Sequence, residues 1–172
     1  MTIAIALQVH DGVVLASDSA MTLTDPSKTG PESVLNVYNN ANKIFNFRKG
    51  FPIGGVVYGM GSIGASSIAT LAKDLRRRFS GQDKAHKDWQ LEEEKFTIEE
   101  VINRAREFLF EENFKPLGIV APGVQFGLFV GGYSAGAQLS EIWSMEIKDS
   151  DCATPAMVYG PRRFKLPRGR RS

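Results

Sequence analysis

The sequence contains very little cysteine and histidine. Cys152 is the single cysteine, and there are only two histidines. One cysteine cannot form an internal disulfide bond, which favours a reducing, cytoplasmic location. So few potential ligands make a dedicated zinc site a poor hypothesis, and we expect neither a metal nor another cofactor.

Long hydrophobic runs are also missing. No stretch reaches the roughly 18 consecutive apolar residues that a membrane-spanning helix needs. The N-terminal apolar stretch has no basic segment before it and no cleavage site after it. The sequence therefore predicts no signal peptide and no membrane partner. With 172 residues, of which 42% are hydrophobic, the chain can bury a core of its own.

Acidic residues are absent from the last thirteen positions, whereas six basic residues lie there. They are Arg162, Arg163, Lys165, Arg168, Arg170 and Arg171. Taking these six charges from the net charge of +2 leaves about −4 on the remainder. We therefore predict one domain over residues 1–159, followed by a basic, disordered tail over residues 160–172. The tail could contact phosphates, but the charge of the domain predicts no specific nucleic-acid partner.

Predicted strands lie on both sides of two predicted helices. The strands before the helices cover residues 2–9, 13–17, 43–47 and 52–58. Asp11-Gly12 is a strong signal for a hairpin turn between the first two. A polar loop containing proline and glycine follows from about residue 22 to residue 32. Two further strands are predicted after the helices, at residues 124–132 and about 138–147.

Both helices are predicted from apolar residues spaced three and four apart. The first stripe is Ile68, Leu71, Ala72, Leu75 and Phe79, and the second is Ile98, Val101, Ile102, Ala105, Phe108 and Leu109. Thr97 and Glu100 have the spacing of a capping box at the start of the second helix. Grouped strands and grouped helices indicate an α+β fold. The near-continuous apolar strands indicate a sheet covered on both faces.

Three residues could together supply hydrolytic chemistry. Removal of Met1 would expose Thr2, whose hydroxyl and free α-amine would combine a nucleophile and a base in one residue. Asp18 ends the second strand, and a hairpin about Asp11-Gly12 would bring it to the open end that holds Thr2. Lys43 begins the next predicted strand, where its ammonium group could pair with Asp18 and stabilise an alkoxide at Thr2. Each of these residues alone would fit an ordinary surface position.

Taken in order, these segments resemble the β-subunits of proteasomes and their bacterial relatives. The resemblance covers about residues 2–146. It lies in the strand–turn–strand start from Thr2 to Ala16-Ser17-Asp18-Ser19 and in Asn42-Lys43-Ile44. It also includes residues 56–64, a predicted strand that leads into a glycine-rich turn, and Phe129-Val130-Gly131-Gly132-Tyr133.

The resemblance implies a threonine-type endopeptidase with a four-layer αββα sandwich fold. Thr2 would attack the scissile carbonyl group, Asp18 and Lys43 would form the supporting pair, and a backbone N–H at Gly59 or Met60 would bind the oxyanion. The substrate would be a peptide or an unfolded protein. Such subunits form homo-oligomeric rings, and the sequence does not tell whether an ATPase partner is needed.

The sequence also departs from the family pattern. Ala20 stands where the family often has arginine, the segment between Asp18 and Lys43 is longer than usual, and Met60 interrupts the usual Gly-Gly turn. No segment matches the late site residues and helices of the family. We therefore expect the C-terminal helical layer to be incomplete.

Two other functions fit parts of the sequence. The chain could be an inactive member of the same family with a structural or assembly role. Alternatively, Gly59, Gly61 and Gly64 have the spacing of a dinucleotide-binding fingerprint, which would indicate an oxidoreductase. The polar residues 80–87 follow the helix, however, where that fold requires an apolar strand.

Overall fold

The computed structural model describes residues 3–24, 34–38, 41–120 and 122–160 of the chain. Thr2 and nearly all of the basic tail lie outside these residues. The described residues form a mixed α and β fold in which strands precede and follow the helices, compatible with the predicted α+β class. None of the helices in this part of the chain is long and apolar enough to cross a bilayer.

The first eight strands precede the helices. They are β1 (Ala4–Val9), β2 (Gly12–Ser17), β3 (Met21–Thr24), β4 (Val34–Tyr38), β5 (Ile44–Asn46), β6 (Ile53–Gly59), β7 (Ser62–Ile63) and β8 (Ser66–Ser67). The helices α1 (Ile68–Phe79) and α2 (Ile98–Arg106) follow, and α2 continues as a π-helical segment, Glu107–Phe114. A short 3₁₀ turn, Lys115–Leu117, leads to β9 (Val124–Gly132), β10 (Glu141–Lys148) and β11 (Ala156–Tyr159).

A five-stranded antiparallel sheet forms the centre of the fold, in the order β11-β10-β9-β6-β5. Both predicted helical stripes are buried against one face of this sheet. Ile68, Ala72 and Leu75 of α1 line a small internal gap together with Phe45 of β5 and Val57 of β6, and α2 contacts β9 and β10. The side chain of Thr97 accepts the N–H of Glu100, as the capping-box spacing predicts.

The hairpin of β1 and β2 covers the opposite face of the central sheet. Its turn lies at Asp11-Gly12, as predicted, with Val9 paired to Gly12. Leu15 packs on Gly54 and Val13 on Gly131, where a Cβ atom would lie 2.9 Å and 2.8 Å from these side chains. The two glycines thus let the hairpin approach the sheet closely.

The outer face of this hairpin is apolar and solvent-exposed. Alternation along β1 directs Ile5, Leu7 and Val9 outward, and Ile5 and Leu7 are 50% and 52% exposed. No helix in the described part of the chain covers this face.

The prediction of a polar loop over residues 22–32 is only partly correct. Met21–Thr24 form β3, and Val34–Tyr38 form a strand that no clear pattern in the sequence predicts. The remainder of this loop, residues 25–33, lies outside the described residues.

Candidate active site

The carboxylate of Asp18 holds the N-terminal strand to the end of β2. Ile3 N–H donates to Asp18 Oδ1 over 3.1 Å, and Asp18 N–H donates back to the Ile3 carbonyl, also over 3.1 Å. The pairing of β1 with β2 continues in register as far as Ala4 and Ser17, which brings Ile3 next to Asp18. Asp18 is therefore fixed beside the residue that follows Thr2 directly in the sequence.

Lys43 completes an ion pair at the same carboxylate oxygen. Its Nζ lies 2.8 Å from Asp18 Oδ1, and the lysine side chain is only 8% exposed. Lys43 is thus a nearly buried cation, which is costly in a protein unless an anion is close. The backbone of Lys43 is anchored as well, because its carbonyl accepts the Val57 N–H of β6 over 2.9 Å.

The hydrogen bond from Lys43 is the main reason that the pKa of Asp18 is below its ordinary value of 3.8. A depressed pKa means that the folded state prefers the ionised carboxylate. The stabilisation from this pair is therefore fully present above the unfolded-state pKa and is lost as the pH falls through the folded-state value. At neutral pH the Asp18 carboxylate is therefore ionised.

A second acceptor orients the lysine. Lys43 Nζ donates to the carbonyl oxygen of Ala20 over 2.6 Å, and Ala41 N–H donates to the Ser19 carbonyl nearby. Sequence reasoning missed the role of Ala20, because the acceptor is a backbone carbonyl and any residue supplies one. Ala20 stands where the resembling family often has arginine, and this contact does not depend on that side chain.

The two predicted oxyanion donors differ in their surroundings. Met60 N–H donates to the Gln125 carbonyl over 2.8 Å, so strand pairing with β9 already engages it. At the opposite edge of β6, Val57 N–H donates to the Lys43 carbonyl. Because backbone N–H groups alternate between the two edges of a strand, Gly59 N–H is directed to the same edge as Val57 N–H. Gly59 is therefore the better-placed donor, and Met60 would have to break a sheet hydrogen bond to serve.

Gly59 adopts a conformation that other residues rarely take. Its φ is +92°, and a Cβ atom would contact the carbonyl group of Gln125 and lie 3.0 Å from Phe126 Cα. These neighbours are backbone atoms of the central sheet and cannot move without disturbing its pairing.

We expect Gly59→Ala to lower the free energy of unfolding by at least about 3 kcal/mol, because it adds a backbone clash to the conformational strain. Gly50→Ala is the matched control, since Gly50 also has positive φ (+86°) but a Cβ atom there would meet nothing within 4 Å. The control should lose only about 1–2 kcal/mol. Urea unfolding of both variants measures the difference, and equal losses would contradict this explanation.

The glycine-rich segment does not have the surroundings of a dinucleotide site. That fingerprint needs a parallel strand leading directly into a helix. Here β6 is antiparallel to both β5 and β9, and the small hairpin of β7 and β8 separates it from α1. Among the described residues no group of three or more His, Cys, Asp or Glu side chains is placed to hold a metal ion.

Of the predicted site residues, the structure brings Asp18 and Lys43 into direct contact and places Gly59 along the neighbouring strand. Thr2 lies outside the described residues, one peptide bond from the anchored Ile3.

No model of a known protein family matches the chain, and no curated protein matches it.

Proposed function

We propose that this chain is an N-terminal-threonine endopeptidase, with Thr2 as the nucleophile after removal of Met1. One observation carries the proposal: Ile3 N–H and the Lys43 ammonium group share one oxygen of Asp18. Ile3, which follows Thr2 directly in the sequence, is thus held where a nearly buried cation meets its carboxylate. A threonine with a free amine at this point would combine nucleophile, base and electrostatic support.

The charge of Lys43 would tune both groups of Thr2. An unperturbed α-amine has a pKa of about 7.7–8.0, and a neighbouring cation lowers it, which increases the neutral fraction that can accept a proton. The same cation would stabilise negative charge that develops on the threonine oxygen. Asp18 would keep the lysine charged and oriented and would not itself take the proton.

The reaction would proceed by acyl transfer. The Thr2 hydroxyl oxygen would bond to the carbonyl carbon while its proton passes to the α-amine, directly or through a water molecule. Cleavage of the C–N bond would return this proton to the leaving amine and leave an ester on Thr2. Water would then attack the ester, giving a carboxylic acid and the free hydroxyl. Gly59 N–H would support the negatively charged oxygen in both steps.

The architecture we propose is the four-layer αββα sandwich. The helices on one face of the central sheet and the β1–β2 hairpin on the other support three of the four layers. Peptides or unfolded proteins would be the substrate, and the chain would act in the cytoplasm in a homo-oligomeric ring. An ATPase partner is left open.

The exposed outer face of the hairpin supports a second candidate function. Ile5 and Leu7 are half exposed, and a face of this kind is typical of a surface that another protein element covers. An inactive chain with a structural or assembly role would also use such a face. This alternative gives no function to the ion pair of Asp18 with the nearly buried Lys43, and we therefore rank it second.

Hydrolysis of an internally quenched peptide by the chain and by its Thr2→Ala variant tests the proposal. The expected result is cleavage by the chain and none above background by the variant. Equal cleavage by both would exclude Thr2 as the nucleophile, whereas no cleavage by either would favour the assembly role.

A further inference from the structure

The outer edge of β11 is open. This strand pairs with β10 on one side, and no strand in the described part of the chain pairs with its other side. All four of its residues are exposed, among them Val158 at 43% and Tyr159 at 55%. A free strand edge presents a row of backbone N–H and C=O groups, and an apolar strand with such an edge is a ready template for another strand.

The other edge strand of the same sheet, β5, is blocked by basic side chains. Arg76 Nε of α1 donates to the Asn46 carbonyl of β5 over 2.7 Å, and Arg48, shortly after β5, donates to the Phe79 carbonyl of α1. Charged side chains at a sheet edge are a common protection against pairing with another chain. β11 has no such protection of its own, because no charged residue occurs from residue 152 to residue 160.

Opposite charges lie on the two sides of β11 along the chain. Before the strand, Glu146, Asp149 and Asp151 line an open cleft that also includes Lys148 and reaches Ala156, the first residue of β11. We call this the acidic cleft. After the strand, residues 160–172 contain six basic residues and no acid. The uncharged β11 thus separates an acidic segment from a basic one.

We propose that β11 pairs with β11 of a second copy of this chain in antiparallel orientation, so that one sheet continues through both copies. In an antiparallel pair, the residues that follow each strand run beside the residues that precede the partner's strand. The basic residues of each copy therefore lie next to the acidic cleft of the other. Parallel pairing would instead place like charges side by side, which is unfavourable.

The proposed contact is two-fold, and it does not depend on the proposed endopeptidase function. A ring repeats a contact between two unlike surfaces, whereas a two-fold contact uses the same surface twice and joins only two copies. It would therefore be a second contact, separate from any ring. Four strand residues bury much less than the roughly 800 Å² per partner of a stable interface, so the attraction between the charged segments supplies an essential part of the binding.

Two charge-reversal variants test the inference by sedimentation velocity. One is Glu146→Lys/Asp151→Lys, which changes two exposed residues of the acidic cleft, and the other is Arg162→Asp/Arg163→Asp. Each variant alone should have about half the mass of the unmodified chain, because like charges then oppose each other at both ends of the pair. An equimolar mixture should regain the full mass, since each copy again faces the opposite charge at both ends.

The mixture distinguishes a contact between copies from one within a single chain. Basic residues that fold back onto the acidic cleft of their own chain cannot be restored by adding a second chain. An unchanged mass of both variants would overturn the inference, and so would a loss of mass that the mixture does not reverse.

A cysteine variant supplies a second measurement that leaves every charge in place. Val158→Cys changes an exposed side chain of β11, and a short bismaleimide reagent should join two copies at this position. Asn46→Cys is the matched control, because Asn46 is exposed on the blocked edge strand β5, and Cys152 is buried. We expect at least about tenfold more cross-linked dimer for Val158→Cys than for the control. Equal yields would overturn the inference even if a charge-reversal variant failed to fold.

Discussion

Thr2→Ala is expected to reduce peptide hydrolysis by about 10⁴-fold or more, because it removes the attacking oxygen and leaves the amine without a nucleophile to activate. The substitution deletes one hydroxyl and one methyl group at the end of the chain. It does not change the Ile3–Asp18 hydrogen bonds or the ion pair of Asp18 with Lys43. The fold should therefore be unaffected, which thermal unfolding can verify.

Thr2→Ser is the matched control for this prediction. Serine keeps both the hydroxyl group and the α-amine, so we expect it to retain at least about a tenth of the activity. The measurement is kcat/KM on one quenched peptide for all three chains. A Thr2→Ala variant as active as the Thr2→Ser variant would exclude Thr2 as the nucleophile.

Lys43→Met is expected to lower kcat by about 10²–10³-fold, in the range found when one electrostatic stabiliser of a reacting oxygen is removed. Methionine keeps an unbranched stem of similar shape but has no charge. Without the cation, the pKa of the Thr2 amine should rise. The rise of activity with pH should therefore shift to higher pH, an effect that lost packing alone would not produce.

Lys49→Met provides the control, because Lys49 is an exposed lysine shortly after the same strand, β5. It should leave kcat and the pH profile unchanged. The proposed role of Lys43 would be untenable if Lys43→Met kept a normal kcat, or if its pH profile matched that of the unmodified chain.

Local patterns in the sequence predict much of the fold. Asp11-Gly12 indicates the hairpin turn, and the apolar residues of α1 and α2 are buried as their spacing predicts. These signals are readable because a turn or a helical stripe depends on residues close in sequence. The predicted strand at residues 124–132 has the same bounds as β9 for the same reason.

Other features depend on contacts between distant residues and could not be predicted. Trp89 lies in a segment that reads as a charged linker, yet it is buried in the core, where it stacks on Phe79 and Arg78 lies 4.7 Å from its ring. The acceptor role of the Ala20 carbonyl and the engagement of Met60 N–H by Gln125 are also tertiary contacts. Neither has a signal in the identity of the residues.

The candidate site depends both on residues recognisable in the sequence and on contacts between distant residues. Asp18 and Lys43 were recognisable as a pair only through their order along the chain, whereas the hydrogen bond from Ile3 to the same carboxylate oxygen required the register of the whole β1–β2 hairpin. This register ties the ion pair to Ile3, which directly precedes β1 and follows Thr2 in the sequence. The pair alone would be an ordinary structural ion pair, and its attachment to Ile3 makes it a candidate for catalysis.

The most direct measurement of the central claim is covalent labelling by an electrophile that reacts with N-terminal threonine. The purified chain is incubated with the probe, and its intact mass and the labelled peptide are determined by mass spectrometry. We predict a chain that lacks Met1 and carries a single label on Thr2, with labelling strongly slowed in Lys43→Met. A chain that retains Met1, or a label on another residue, would contradict the claim that Thr2 acts beside the Asp18–Lys43 pair.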